Sequence, residues 1–316
     1  MKPMNSLLPV PLRLRGIVPP LVTPLRGRDQ LDEAGLERLV EHVLAGGVQG
    51  LFILGTTGEG PALGYALRRK LITRVCRHVA GRVPVLVGIT DTAFTEALTL
   101  AEHGADAGAA AVVAAPPYYL PAGQPELVEW LEHLAAELPL PLMLYNMPAL
   151  TKVGFAPETV QRAMDQPRIV GIKDSSGDLR YFRALLALRA ERPEWNVLMG
   201  PEELLAETVA AGGDGGVNGG ANVFPRLYTA LYEAACAADA ERVQRLHALM
   251  LRVGDTLYRI GSHSSSLIKG LKCALSCLGV CEDFMAEPAH RFREPERQRV
   301  VEGVERLKRE LGELAE

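Results

Sequence analysis

Short, unbroken apolar stretches rich in β-branched residues recur along the chain at 16–22, 50–54, 83–89, 110–115, 141–146, 168–173, 196–200 and 214–218. Between them lie stretches whose apolar residues fall three and four apart, at 31–45, 62–79, 93–103, 125–136, 157–164, 179–189 and 202–211. The first kind predicts strands buried on both faces, and the second predicts amphipathic helices. With a further helix at 226–236, the strand-helix unit repeats eight times between residues 16 and 237. Strands buried on both faces and joined by helices pair in parallel, and eight such units predict a closed (β/α)8 TIM barrel. A doubly wound nucleotide-binding sheet would need a glycine-rich turn after its first strand, where this chain has Thr23-Pro24-Leu25. Beyond the barrel only helical periodicity remains, at 240–258, 265–278 and 295–314, which predicts an appended C-terminal helical bundle. The expected division is an N-terminal extension over 1–15, a barrel over 16–237 and a helical region over 238–316. No low-complexity linker separates the last two, so the helices are expected to pack on the barrel.

Composition narrows the function without naming it. At 316 residues, 48% hydrophobic and 23% charged, the chain is rich enough in apolar residues to build a large core and too rich to be disordered. A net charge of -4 gives no basic footprint for nucleic acid, and no apolar run approaches the ~18 residues of a membrane span. The first residues, Met1 to Leu12, lack the cationic start and apolar run of a secretion signal, so a cytoplasmic protein facing small molecules is expected. The five cysteines are odd in number and form no C-x2-C pair, which argues against both a disulfide framework and a zinc site. Cys273 and Cys277 share a helix face and are read as packing residues.

One residue breaks the pattern of buried strands. The run Arg168-Ile169-Val170-Gly171-Ile172 leads directly into Lys173, followed by Asp174-Ser175-Ser176-Gly177. Burying an ammonium group costs several kcal/mol unless it is paired or neutralised, roughly the penalty of a lone buried ion. A strand-end lysine that snorkels to water would be unremarked. A lysine held in an apolar pocket, however, gives up its proton readily, and its neutral amine attacks ketone carbonyls to form a Schiff base.

The other unusual residues fall where a barrel enzyme keeps its chemistry, at the C-terminal ends of the strands. Gly55-Thr56-Thr57-Gly58-Glu59 follows the second strand, Pro116-Pro117-Tyr118-Tyr119 the fourth, and Tyr145-Asn146-Met147-Pro148 closes the fifth. Gly200-Pro201-Glu202-Glu203 follows the seventh, and Gly216-Val217-Asn218-Gly219-Gly220 the eighth. Each is ordinary turn or packing chemistry alone. Together they outline a site in which Thr56, Thr57 and nearby backbone N–H groups cradle a carboxylate while the keto group of the same acid meets Lys173. Imine chemistry needs protons moved on and off oxygen, and Tyr145, Thr57 and Tyr119 are the candidate relay.

These motifs, with Thr23-Pro24 and the GGDGG at 212–216, resemble the family of pyruvate-dependent class I aldolases that includes dihydrodipicolinate synthase and N-acetylneuraminate lyase. The likeness runs from about Gly16 to the C-terminal helices, and the 28-residue spacing of Tyr145 and Lys173 is the family's. The resemblance implies that Lys173 is the Schiff-base lysine and Tyr145 the acid-base residue, with Thr56 and Thr57 as the carboxylate cradle. It further implies that Gly200, Glu202 and Val217 bind substrate and that no cofactor or metal is required. Tyr119 is implied to reach a neighbouring subunit's site within a homo-oligomer, a tetramer or a dimer. Pyruvate and a small keto acid or aldehyde are the implied partners.

Departures from the family pattern bear on substrate. Where dihydrodipicolinate synthases carry an arginine five residues after the strand-5 tyrosine, this chain has Leu150, which cannot make a bidentate grip on a carboxylate. The stretch Pro148-Ala149-Leu150 and the pair Glu202-Glu203 are similar to sugar-acid and sialic acid lyases, although Gly55-Thr56 and Gly219 stand where the latter tend to place serine in the loop. The leading expectation is a lyase of 2-keto-3-deoxy acids, with a dihydrodipicolinate synthase or an imine-forming dehydratase as alternatives. A phosphosugar-binding barrel ranks lower, because residues 215–222 offer no lysine, arginine, serine or threonine. A catalytically silent barrel would have no need of Lys173, Tyr145, Thr57 and Tyr119 together.

Overall fold

A computed structural model describes residues 12–312. Eight parallel strands carry the fold: β1 Gly16–Ile17, β2 Leu51–Ile53, β3 Val85–Gly88, β4 Ala111–Ala114, β5 Leu142–Asn146, β6 Ile169–Asp174, β7 Asn196–Met199 and β8 Gly215–Gly216. From β2 to β8 each strand pairs with the next in sequence, and β1 pairs with β8. A parallel bridge between Pro20 and Phe52 joins the β1 segment to β2 and closes the ring. The expected TIM barrel is therefore observed.

Closure sorts the apolar residues into two layers. Leu14, Val18, Phe52, Leu86, Val113 and Met143 belong to the cluster that fills the barrel interior, together with Leu198 and Val217. A much larger cluster lies between strands and helices and continues into the C-terminal helices Ala240–Leu257, Ser266–Cys277 and Glu296–Gly312. The alternation of a strand forces this division, since successive side chains point to opposite faces.

The structure departs from the sequence pattern where the backbone sets the limit. Only Gly16–Ile17 of the expected strand at 16–22 is regular, because Pro19 and Pro20 have no N–H to donate to a ladder. The eighth strand shrinks to Gly215–Gly216, packed so closely on β1 that a Cβ on Gly215 would stand 1.9 Å from the Gly16 carbonyl oxygen. A two-stranded hairpin, Leu25–Gly27 with Gln30–Leu31, and a single helical turn at Pro148–Thr151 carry no periodic signal, being too short for either pattern to repeat. The expected extension at 1–15 lies mostly outside the described residues.

Candidate active site

The register of β5 and β6 builds the centre of the site. Tyr145 pairs with Lys173 across the ladder, and Lys173 pairs in turn with Leu198 of β7. Tyr145 and Leu198 belong to the interior cluster, so Lys173 projects into the barrel at its C-terminal end. Its side chain is 5% exposed. Nζ lies 4.1 Å from the centroid of the Tyr145 ring and 5.2 Å from that of Phe52, and the two rings meet edge to face at 6.3 Å. Among the described residues, no carboxylate lies within 4.0 Å of Nζ. The amine is thus buried against aromatic faces with no carboxylate beside it, at the end of the barrel where a keto acid would enter.

The residue after the lysine faces the other way. Asp174 is buried, accepts hydrogen bonds from Asn146 Nδ2 (2.9 Å), Ser176 N–H (3.0 Å) and Ser176 Oγ (2.9 Å), and has its carboxyl pushed above the usual range chiefly by burial. Asn146 Oδ1 in turn accepts from Phe155 N–H at 3.1 Å. This network fixes the ends of β5 and β6 and hence the separation of Tyr145 and Lys173.

In front of the two rings opens a cavity of about 160 Å³, lined by Phe52, Thr56, Tyr118, Tyr145, Met147 and Leu150 among others. Thr56 Oγ1 lies 3.2 Å from the Tyr145 hydroxyl. The loop carrying Thr56 is drawn tight: Thr23 Oγ1 donates to the Gly58 carbonyl at 2.6 Å, and a Cβ on Gly58 would stand 2.9 Å from the Leu21 carbonyl oxygen. Glycine is needed there because backbone approaches backbone.

The structure redistributes two of the roles expected from sequence. Thr56, not Thr57, meets the Tyr145 hydroxyl and lines the cavity; the neighbouring Thr57 is buried in the loop and has no hydrogen bond to the tyrosine. Tyr119 is 94% exposed and stands outside the cavity, while Tyr118 lines it. The relay of Tyr145, Thr57 and Tyr119 is therefore not assembled within one chain. Gly200 and Val217 lie where β7 and β8 end, Gly200 N–H donating to Asp174 O (2.7 Å) and Val217 N–H to Met199 O (2.8 Å).

Glu202 is the clearest correction. Its Oε1 accepts from Tyr228 (2.6 Å) and Tyr258 (2.9 Å), its Oε2 accepts from Gly220 N–H (3.0 Å), and the whole side chain is buried. Both oxygens are engaged by the protein, so the carboxyl is not free to bind sugar hydroxyls, and Glu203 is exposed to solvent. Burial raises the Glu202 pKa and holds both phenols protonated. Glu202→Ala is expected to strand two buried hydroxyls and one N–H, at about 1–3 kcal/mol for each group left unsatisfied. Thermal and urea unfolding should show a large loss of stability, and a variant as stable as the wild type would remove the structural role.

Sequence reasoning missed Phe52 and Tyr118, which wall the cavity, and two buried ion pairs. Arg68 Nη1 meets Asp91 Oδ2 at 3.0 Å, and Lys272 Nζ meets Glu59 Oε1. Lys272 also stands among apolar residues, Gly270-Leu271-Lys272-Cys273-Ala274-Leu275, but within a helical stretch and not a buried strand.

The comparisons give the class as a lyase of the class I pyruvate-aldolase type, and a parallel barrel with a buried lysine beside a strand-end tyrosine has the groups that class needs. The chain belongs to the Dihydrodipicolinate synthetase family, whose sequence model it matches over residues 13–307. It is similar to a structure described as dihydrodipicolinate synthase from Bacteroides thetaiotaomicron, with 52% identity, a TM-score of 0.90, and coverage of 93% of this chain and 98% of the other. It is 30% identical to YagE of Escherichia coli K12, over 93% of this chain and 97% of that protein, whose provisional name is 2-dehydro-3-deoxy-D-gluconate aldolase. The structure of YagE, in complex with pyruvate, superimposes with a TM-score of 0.87 over 93% of this chain and 98% of the other. A 4-hydroxy-tetrahydrodipicolinate synthase of Thermus thermophilus is 38% identical, covering 77% of this chain and 81% of its own length.

Proposed function

We propose that this protein is a Schiff-base lyase that cleaves, or forms, 2-keto-3-deoxy acids with pyruvate as product or donor. The observation that carries the reading is the register pair of Tyr145 and Lys173, with the amine buried against aromatic rings and the hydroxyl beside Thr56. In the cleavage direction, neutral Lys173 Nζ adds to the C2 carbonyl, and the carbinolamine oxygen leaves as water after receiving a proton from Tyr145. Tyr145 then takes the proton of the C4 hydroxyl as the C3–C4 bond breaks; C4 departs as an aldehyde and its electron pair is held as the enamine of pyruvate. Protonation at C3 and hydrolysis of the imine release pyruvate and restore the amine. Thr56, Thr57 and the loop N–H groups hold the substrate carboxylate throughout.

The second reading is a 4-hydroxy-tetrahydrodipicolinate synthase, which the names of the Bacteroides and Thermus relatives favour. Against it stands Leu150, an apolar residue at the cavity wall, 48% exposed, at the sequence position where dihydrodipicolinate synthases carry an arginine. Lys152 is close in sequence, but its Nζ donates to the Ala149 carbonyl at 3.0 Å and it does not line the cavity. Forgoing a charge-assisted pair costs about 1.5–3 kcal/mol, or roughly 10- to 100-fold in kcat/KM. Kinetics across a panel of acids decide between the readings: 2-keto-3-deoxy sugar acids should be cleaved with kcat/KM well above that for condensation of pyruvate with aspartate semialdehyde. A preference for aspartate semialdehyde over every sugar-derived acid would restore the synthase reading.

The reading includes a homo-oligomer. Tyr119 sits in left-handed backbone (φ 79°), a conformation that costs a non-glycine residue about 1 kcal/mol or more, and presents its ring to solvent beside exposed Leu120. Strain spent on an exposed aromatic at the site's rim fits a side chain placed for a second copy's cavity.

A further inference from the structure

The loop that bears Thr56 and Thr57 is tied to the C-terminal helical region by a buried ion pair. Glu59 closes the loop in left-handed backbone (φ 56°), and its Oε2 accepts a 2.7 Å hydrogen bond from Ala286 N–H. Its other oxygen meets Nζ of Lys272, which also donates to the Phe284 carbonyl at 2.7 Å. Lys272 is completely buried in the helix Ser266–Cys277. Gly60, immediately after Glu59, packs so closely on the end of β2 that a Cβ there would lie 2.1 Å from the Leu54 carbonyl oxygen. Any shift of Glu59 is therefore passed to the short segment before it, which carries Thr56 and its contact to Tyr145.

Stability alone does not explain such a pair. Desolvating both ions costs about as much as their attraction returns, and well-packed apolar residues in their place are often as stable or more so. What an ion pair with two further backbone bonds adds is a fixed position in three dimensions.

We propose that Glu59 and Lys272 are positioning residues that hold the Thr56–Thr57 cradle against Tyr145, so that the C-terminal helices govern capture of the pyruvate carboxylate without touching it. The inference rests on the Schiff-base reading above. In Lys272→Met the Glu59 carboxylate loses its counter-ion and moves toward water, displacing the loop. Misplacing a binding group by about an ångström is enough to weaken a site by an order of magnitude or more.

The test separates binding from turnover. Lys272→Met should raise the KM for pyruvate roughly tenfold, raise equally the pyruvate concentration that half-saturates borohydride trapping at Lys173, and lower kcat at saturating pyruvate no further than Thr56→Val does. Glu59→Gln keeps an acceptor for Ala286 N–H and buries no unpaired carboxylate, so it serves if Lys272→Met does not fold; it should shift the same two quantities about threefold or more. Val253→Ala, a cavity in the core of the helix Ala240–Leu257, should lower stability and leave pyruvate KM at the wild-type value. A folded Lys272→Met or Glu59→Gln protein with wild-type half-saturation overturns the inference, and so does an equal KM shift in Val253→Ala. If the wild type is not trapped at Lys173 at any pyruvate concentration, the Schiff-base reading fails and takes this inference with it. Trapping of the wild type with unshifted variants sinks the inference alone.

Discussion

Replacing Lys173 with alanine is expected to lower kcat by on the order of 10⁴–10⁶ while leaving the fold intact, because the change removes the nucleophile and with it the covalent route. The chain should tolerate the loss. Lys173 has no ion-pair partner among the described residues, so truncation leaves no orphaned carboxylate, and the space it vacates borders the rings of Phe52 and Tyr145. Far-ultraviolet circular dichroism and thermal unfolding close to the wild type, together with lost turnover, are the expected pair of results. A Lys173→Ala protein that retains substantial activity would mean that the reaction does not pass through this amine.

The next largest effect is expected at Tyr145. Tyr145→Phe keeps the ring that packs on Phe52 and Lys173 but removes the hydroxyl beside Thr56, and losing a positioned acid-base group typically costs about 10²–10⁴ in rate. The loss should fall on kcat, since the carboxylate cradle is untouched. Thr56→Val should give a related, smaller loss, and larger than Thr57→Val, because Thr56 is the residue within reach of the phenol. The third member of the relay is tested in trans: mixing Tyr119→Phe with Lys173→Ala subunits should restore part of the activity. Near wild-type kcat in Tyr145→Phe would remove the tyrosine from proton transfer.

How much of this was legible in the sequence depended on the range of the signal. The barrel was legible because a strand buried on both faces writes its burial in consecutive residues, and eight repeats leave few alternatives. Lys173 and Tyr145 were legible because each ends such a strand, and strand ends on one face converge. Choices between adjacent residues were not. Thr56 and Thr57, like Tyr118 and Tyr119, differ only in which one the loop backbone turns toward the cavity, and the left-handed turn at Tyr119 that exposes it is a property of the closed fold. Glu202 shows the same limit at longer range: the sequence reads it as a substrate-binding carboxylate at the end of a barrel strand, and its burial comes from Tyr228 and Tyr258, which lie beyond the last barrel strand. Lys272 escapes notice because a helical period allows a lysine to face water, whereas a strand buried on both faces does not, and its partner Glu59 lies more than two hundred residues away.

The central claim is covalent, and one measurement reaches it directly. Wild-type protein incubated with pyruvate and reduced with borohydride should gain the mass of one reduced pyruvyl group per chain, and peptide mapping should place it on the peptide containing Ile172-Lys173-Asp174 and on no other lysine. An unmodified chain under saturating pyruvate, or a label distributed over exposed lysines such as Lys70 and Lys152, would contradict the account.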